Sequence, residues 1–276
     1  MMRSVLILFL AAFALSAQTM KERVKPYLVR ALEAGSAFVG VSAASGDPML
    51  APDSLGSLYG PNLAAQTAIG QAPYPTSLGG VSVQIVDSAG NSQPAQLVFV
   101  SPDQINFVMP QGMADGPATV NLSGGSSVLT GAAQAQAVAP ALFTANMNGQ
   151  GVVAATAYRS IAPNPGPVGP VTVYQCGVMP DSCVSVPIDP GLDTPVTITL
   201  YATGIKGRSG NAGVTLTIGQ TAVAIKSISS SDDNGPMAGV DQVTFVLPLS
   251  LRGSGEVPIF LTVDGVNSNT ARINVQ

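Results

Sequence analysis

The chain has 276 residues, 46% of them hydrophobic and only 9% charged, with a formal net charge of −4. That length holds two domains of ordinary size, and that apolar share supplies a packed core for each. Without a single His, the side chain that most often serves acid–base catalysis and metal binding near neutral pH is missing.

Arg3 and the apolar run VLILFLAAFAL (5–15) have the layout of a secretory signal peptide, with a small-residue cleavage site after Ala17. Eleven apolar residues are too few for a membrane span, which takes about 20. The expected product is an exported protein (secreted, periplasmic or on the cell surface) without stable membrane insertion. Residues 18–38 read as a leader. Within it Val24, Tyr27, Leu28 and Ala31 recur at helical spacing, so a short helix is expected over 25–33, with Pro26 in its first turn. Residues 21–35 carry four basic and two acidic side chains, and the residues beyond them six basic and thirteen acidic. An acidic body of that kind argues against nucleic-acid binding.

After Gly35 the apolar period becomes two. Strands are expected at 81–86 (VSVQIV), 96–100 (QLVFV), 105–109 (INFVM) and 118–122 (ATVNL), separated by turn formers such as DSAGNSQP and SPDQ. Thirty glycines and 22 prolines favour such short strands over long helices. Residues 138–192 have a different texture. APALFTANMNGQGVVAATAY (139–158) reads as a small hairpin bent at NMNGQG. APNPGPVGP (162–170) reads as a stiff polyproline-like linker. The stretch VTVYQC…CVSV reads as a second hairpin. Cys176 and Cys183, the only cysteines, are expected to close its loop as a disulfide, the simplest outcome for two near thiols in an oxidising compartment.

The second half repeats the plan of the first. SLYGPNL (57–63) is echoed by TLYATGI (199–205), GGVSVQIV (79–86) by AGVTLTIG (212–219), and DQINFVMP (103–110) by DQVTFVLP (241–248). The expectation is a tandem duplication of one β-domain. In the repeated strand, Ile105, Phe107 and Met109, and likewise Val243, Phe245 and Leu247, form one apolar face and should point into the two cores. The Asp-Gln pair that opens each copy is expected to cap a turn through Asx-type bonds. The fold class is therefore all-β: two tandem β-sandwiches joined by a hairpin-containing, proline-rich connector. The divisions are 1–17 signal peptide, 18–38 leader, 39–137 first sandwich, 138–192 connector and 193–276 second sandwich.

The segments VSAAS…LAPDSLGSLYGPNLA, PTSLGGVSVQI, QLVFVSPDQINFVMP, APALFTAN…GQG and LYATGI resemble the Solibacter-type uncharacterised C-terminal domain family, over residues 41–276. The resemblance implies paired immunoglobulin-like domains of the TIG kind in an exported protein. It brings no activity and no site residues with it.

No GxSxG elbow and no His-based dyad is present. The GQGVVA stretch at 149–154 resembles a dinucleotide fingerprint, yet ATAYRSIAPNP (155–165) is too rich in helix breakers to supply the helix that motif must open. It reads as a turn. Asp232, Asp233 and Asn234 offer oxygen ligands for calcium, but without EF-hand spacing, and a solvated loop explains them equally well. Tyr59, Tyr74, Tyr158, Tyr174 and Tyr201 are the side chains left for a sugar platform, because the chain has no Trp. No catalytic, cofactor or metal residues are expected. The favoured function is a non-catalytic extracellular adhesion, interaction or spacer module whose partner is an extracellular protein or polysaccharide. The alternative is a carbohydrate- or polymer-binding accessory protein that serves secreted enzymes.

Overall fold

A computed structural model describes residues 17–124, 127–160, 167–179, 181–232 and 234–276. The apolar run expected as a signal peptide, Asp233 and the first part of the proline-rich stretch lie outside the described residues.

The first element is a helix, α1, Ala17–Glu33. It begins eight residues earlier than its periodicity indicated, so Pro26 sits in its interior rather than its first turn. The helix holds because it is docked: Met20 and Val24 are buried against Val39, Val41 and Tyr59, with Leu28 and Ala31 alongside. Tertiary packing, rather than propensity, sustains most helices of this length.

The strands of the first sandwich are β1 Val39–Ser42, β2 Met49–Leu50, β3 Leu55–Tyr59, β4 Ala68–Ile69, β5 Ser77–Leu78 and β6 Val81–Val86. They continue with β7 Ser92–Pro94, β8 Gln96–Val100, β9 Gln104–Val108, β10 Gly116–Gly124 and β11 Ser127–Ala135. The pairing runs β4-β8-β9-β3-β1-β11-β10-β6-β5, with β2 on β11 and β7 on β6. β1 joins two layers, because it is antiparallel to β3 on one side and parallel to β11 on the other. Between the layers lies a core that includes Leu58, Leu97, Ile105, Phe107 and Met109 from one side and Val83, Ile85, Val120 and Leu122 from the other. Gly56 faces Phe107 across the β3–β9 pair, and a Cβ there would meet the ring at 2.7 Å, so the close approach requires glycine.

Asp87 closes the β6–β7 turn. Its carboxylate accepts the backbone N–H groups of Ala114, Asn91 and Ala89 and the side-chain amide of Asn91, at 2.9–3.0 Å. These bonds, led by that from Ala114, hold its pKa down at about 2, against an ordinary value of 3.8. A depressed carboxylate stabilises the fold above its unfolded pKa, and that contribution is lost as pH falls through the folded one. The first sandwich should therefore lose stability between about pH 4 and pH 2, and Asp87→Asn should flatten that acid limb in urea melts. An unchanged pH dependence would show that Asp87 does not supply it.

The second sandwich is built from β12 Ala141–Leu142, β13 Ala155–Ser160, β14 Pro167–Val171, β15 Tyr174–Cys176, β16 Cys183–Ser185, β17 Val196–Thr203 and β18 Val214–Ile218. Its remaining strands are β19 Thr221–Val223, β20 Ile225–Ser230, β21 Asp241–Val246, β22 Gly255–Val263, β23 Val266–Asn267 and β24 Ala271–Val275. One layer is β14-β13-β17-β21-β20 with β12 on β17. The facing layer is β19-β18-β22-β23 with β24 on β22. Val196, Ile198, Leu200, Val243 and Phe245 meet Leu216, Ile218, Leu261 and Ile273 between them.

Both expected hairpins of 138–192 are present, and the structure adds that this segment belongs to the second sandwich. β12 and β13 pair with β17, and Val138, Val153, Ala157, Val173 and Ile188 lie in its core. The last residues of the proline-rich stretch form β14, an edge strand, where missing N–H groups cost nothing.

The two sandwiches pair their strands in one register. Tyr59↔Gln104, Ser57↔Asn106 and Gly56↔Phe107 in the first correspond to Tyr201↔Gln242, Thr199↔Thr244 and Ile198↔Phe245 in the second. The Asp residues that open these strands do not act as Asx caps. Ser101 caps the first turn, accepting the Gln104 N–H at 3.0 Å, while Asp103 pairs with Lys21 of α1. Asp241 is buried and accepts the Ile205 N–H and the Ser230 hydroxyl.

The sandwiches pack directly on one another. Leu55, Tyr74, Val98 and Val108 of the first meet Ala141, Phe143, Ala154, Tyr201 and Ala238 of the second. The Leu55 N–H donates to Thr203 Oγ1 at 2.8 Å, Tyr74 OH to the Pro236 carbonyl at 2.8 Å, and Lys206 pairs with Asp53 at 3.4 Å. This seam explains a difference between the repeated strands. β9 is buried along its whole length, whereas β21 alternates and leaves Val246 exposed. The outward face of β9 is covered; that of β21 beyond Thr244 is not.

Candidate interaction surface

Among the described residues, the disulfide hairpin carries the most exposed large apolar side chain, Val178, and it also has a built base. Cys176 and Cys183 stand opposite each other on β15 and β16 and are bonded. Closing so short a loop removes unfolded-chain freedom worth about 2 kcal/mol in the chain-entropy account. Inside the loop, the Ser182 hydroxyl donates to the Met179 carbonyl at 2.6 Å, and the Gly177 N–H donates to the Ser182 carbonyl at 3.3 Å.

The base is clamped from the neighbouring hairpin, where Thr144 pairs with Val153. The buried Asn146 amide donates to the carbonyls of Asp181 at 2.8 Å and Cys183 at 2.9 Å, and its oxygen accepts the Val152 N–H at 2.9 Å. All three bonds fix one side chain between two hairpins. Gly151, at φ +82°, leaves room for it: a Cβ there would overlap the Asn146 amide. The sequence placed a bend here, but nothing local marked Asn146 as a clamp, since its carbonyl partners lie about 35 residues away.

At the tip Val178 is fully exposed, Met179 is 66% exposed, and Val184 on the adjoining strand is 63% exposed. Scattered single apolar residues on a surface need no explanation, but several on one stapled hairpin form a patch. The loop from Gly177 to Ser182 carries one acidic residue, Asp181, and no basic one.

The other candidates separate. Tyr59, Tyr74 and Tyr201 are buried in packing, and burial pushes the Tyr59 hydroxyl well above its usual pKa and raises that of Tyr74. Of these five, Tyr174 is half-buried and Tyr158 alone is exposed, so they do not assemble a sugar platform. Asp232 forms a turn, its carboxylate accepting the Asn234 N–H at 3.1 Å and its carbonyl the Gly235 N–H at 2.8 Å. Among the described residues no group of three or more His, Cys, Asp or Glu side chains gathers into a metal site. No described helix is long and apolar enough to cross a membrane.

No family profile matches the chain, and no curated protein is significantly similar to it. Among solved structures, bovine butyrophilin is similar at 9% identity, covering 87% of this chain and 100% of its own, with a TM-score of 0.26. A likeness of that size carries no argument, and the immunoglobulin-like description stands on the strand pairing of the two sandwiches.

Proposed function

We propose that the protein is a non-catalytic exported interaction module, a tandem duplication of one immunoglobulin-like unit, that grips an extracellular protein with the stapled hairpin. The observation that carries this reading is the exposure of Val178 and Met179 on a loop held by a disulfide and by Asn146. A preorganised apolar tip loses little entropy on binding, which is how rigid loops gain affinity. Without a basic side chain in the loop, a protein pocket suits it better than an anionic lipid surface. The apolar run at 5–15 and the disulfide support export. The resemblance to the Solibacter-type family supports an extracellular role beside larger modules.

Each apolar tip side chain contributes roughly 1.5–3 kcal/mol on full burial. Val178→Ser with Met179→Ser should therefore weaken capture of the partner at least tenfold, with an unchanged melting temperature. Cross-linking of the mature protein in its native secretion medium, mapped by mass spectrometry, should place the partner on residues 177–182. Saturable binding on a glycan array that survives the double substitution would replace this reading with the polysaccharide one.

A further inference from the structure

Few side chains of this protein react readily with a mild oxidant. The chain has no Trp and no His, and its two cysteines are already joined, so no free thiol competes. The soft groups that remain are the thioethers of nine methionines. Packing sorts the described ones. Met20, Met109 and Met113 are buried, Met147 and Met237 are half-buried, and Met49 is 37% exposed. Met179, at 66%, stands apart from all of them.

Its place in the disulfide loop matters as much as its exposure. The hairpin uses only the Met179 backbone, whose carbonyl accepts the Ser182 hydroxyl at 2.6 Å and the Ser182 N–H at 3.1 Å. The side chain takes part in neither bond, and the Asn146 clamp acts on the carbonyls of Asp181 and Cys183. A chemical change at the sulfur therefore leaves the staple, the turn and the clamp in place. It alters only the apolar surface that Met179 presents beside Val178. Met109 is the contrasting case, because it lies in the core of the first sandwich, where an oxidant reaches it only if the core opens.

We propose that Met179 is an oxidant-sensitive modification site, and that its conversion to the sulfoxide by a peroxide releases the hairpin's grip on its partner. This rests on the reading of the tip as the binding element. The step is a two-electron oxygen transfer. A lone pair of the Met179 sulfur attacks one peroxide oxygen, and the S–O bond forms as the O–O bond breaks. The departing hydroxide takes the proton of the transferred oxygen and leaves as water, so the sulfur is oxidised and the peroxide reduced. The thioether is soft and flexible, which suits it to filling an irregular apolar pocket. The sulfoxide is polar and adds a strong acceptor at the same point. A pocket built for Val178 and Met179 must then desolvate that oxygen without a donor, and affinity falls.

The probe is hydrogen peroxide, added in limiting amounts to the mature chain at neutral pH. Peptide mass spectrometry should show the Met179 sulfoxide forming at least about threefold faster than that of Met49 and at least about tenfold faster than that of Met109. The melting temperature should not change at that dose. Retention on phenyl-agarose reports the apolar tip. Peroxide should shorten the retention of the unsubstituted chain and leave the Met179→Leu chain where it was before treatment, since leucine is apolar and has no sulfur. Oxidation of Met49 as fast as that of Met179 would overturn the proposal. So would a sulfoxide at Met179 with unchanged retention, or an equal shift in the Met179→Leu chain. The underlying reading fails by a different result: an untreated Val178→Ser, Met179→Ser chain retained as strongly as the unsubstituted one would show that the tip is not the apolar grip, and the switch would fall with it.

Discussion

Phe107→Ala should cost the first sandwich about 3–5 kcal/mol, and Phe245→Ala should cost the second about the same. Both rings are completely buried, and each lies among the large aliphatic side chains of its own core. The loss combines the transfer of a phenyl ring to water with a cavity that a close-packed interior refills only in part. The two sites are not equivalent in their neighbours. Phe107 lies over Gly56, which has no side chain to move into the vacated space, whereas Phe245 faces Ile198. The first sandwich should therefore relax less and lose the more. Denaturant melts followed by hydrogen exchange would assign each loss to its domain, and losses under about 1 kcal/mol would place both rings on the wrong face.

Val108→Asp, one residue along the same strand, should have the opposite signature. Val108 is buried among the apolar side chains of the seam between the sandwiches and not in the first core. Desolvating a carboxylate in such surroundings costs several kcal/mol unless the surfaces part. The cheaper response is for the seam to open and hydrate it. Both sandwiches should stay folded, the calorimetric transition should split into two, and the radius of gyration in small-angle scattering should rise. Retention of a single transition and an unchanged radius would show that the seam does not couple the domains. The same substitution at Val246, exposed at the matching position, should cost under about 0.5 kcal/mol.

Much of the interior was legible in the sequence because strand alternation is a local signal. The bounds expected for 81–86 and 96–100 are those observed for β6 and β8, and the inward faces of β9 and β21 follow the period of two. The disulfide was legible for a similar reason, since a short loop between two thiols brings its own ends together. The outward faces were not legible. Val108 and Val246 stand in nearly the same local sequence, as do Tyr59 and Tyr201, and their surroundings differ only in what lands on them from elsewhere in the chain. α1 covers Tyr59, the seam covers Val108 and Tyr201, and solvent meets Val246. The same holds for 138–192, whose hairpins were visible while their pairing with β17 was not. Asn146 belongs with these. A short-range pattern records which side of a strand is apolar; which body covers its other side is decided by long-range packing, and only the tertiary structure contains that.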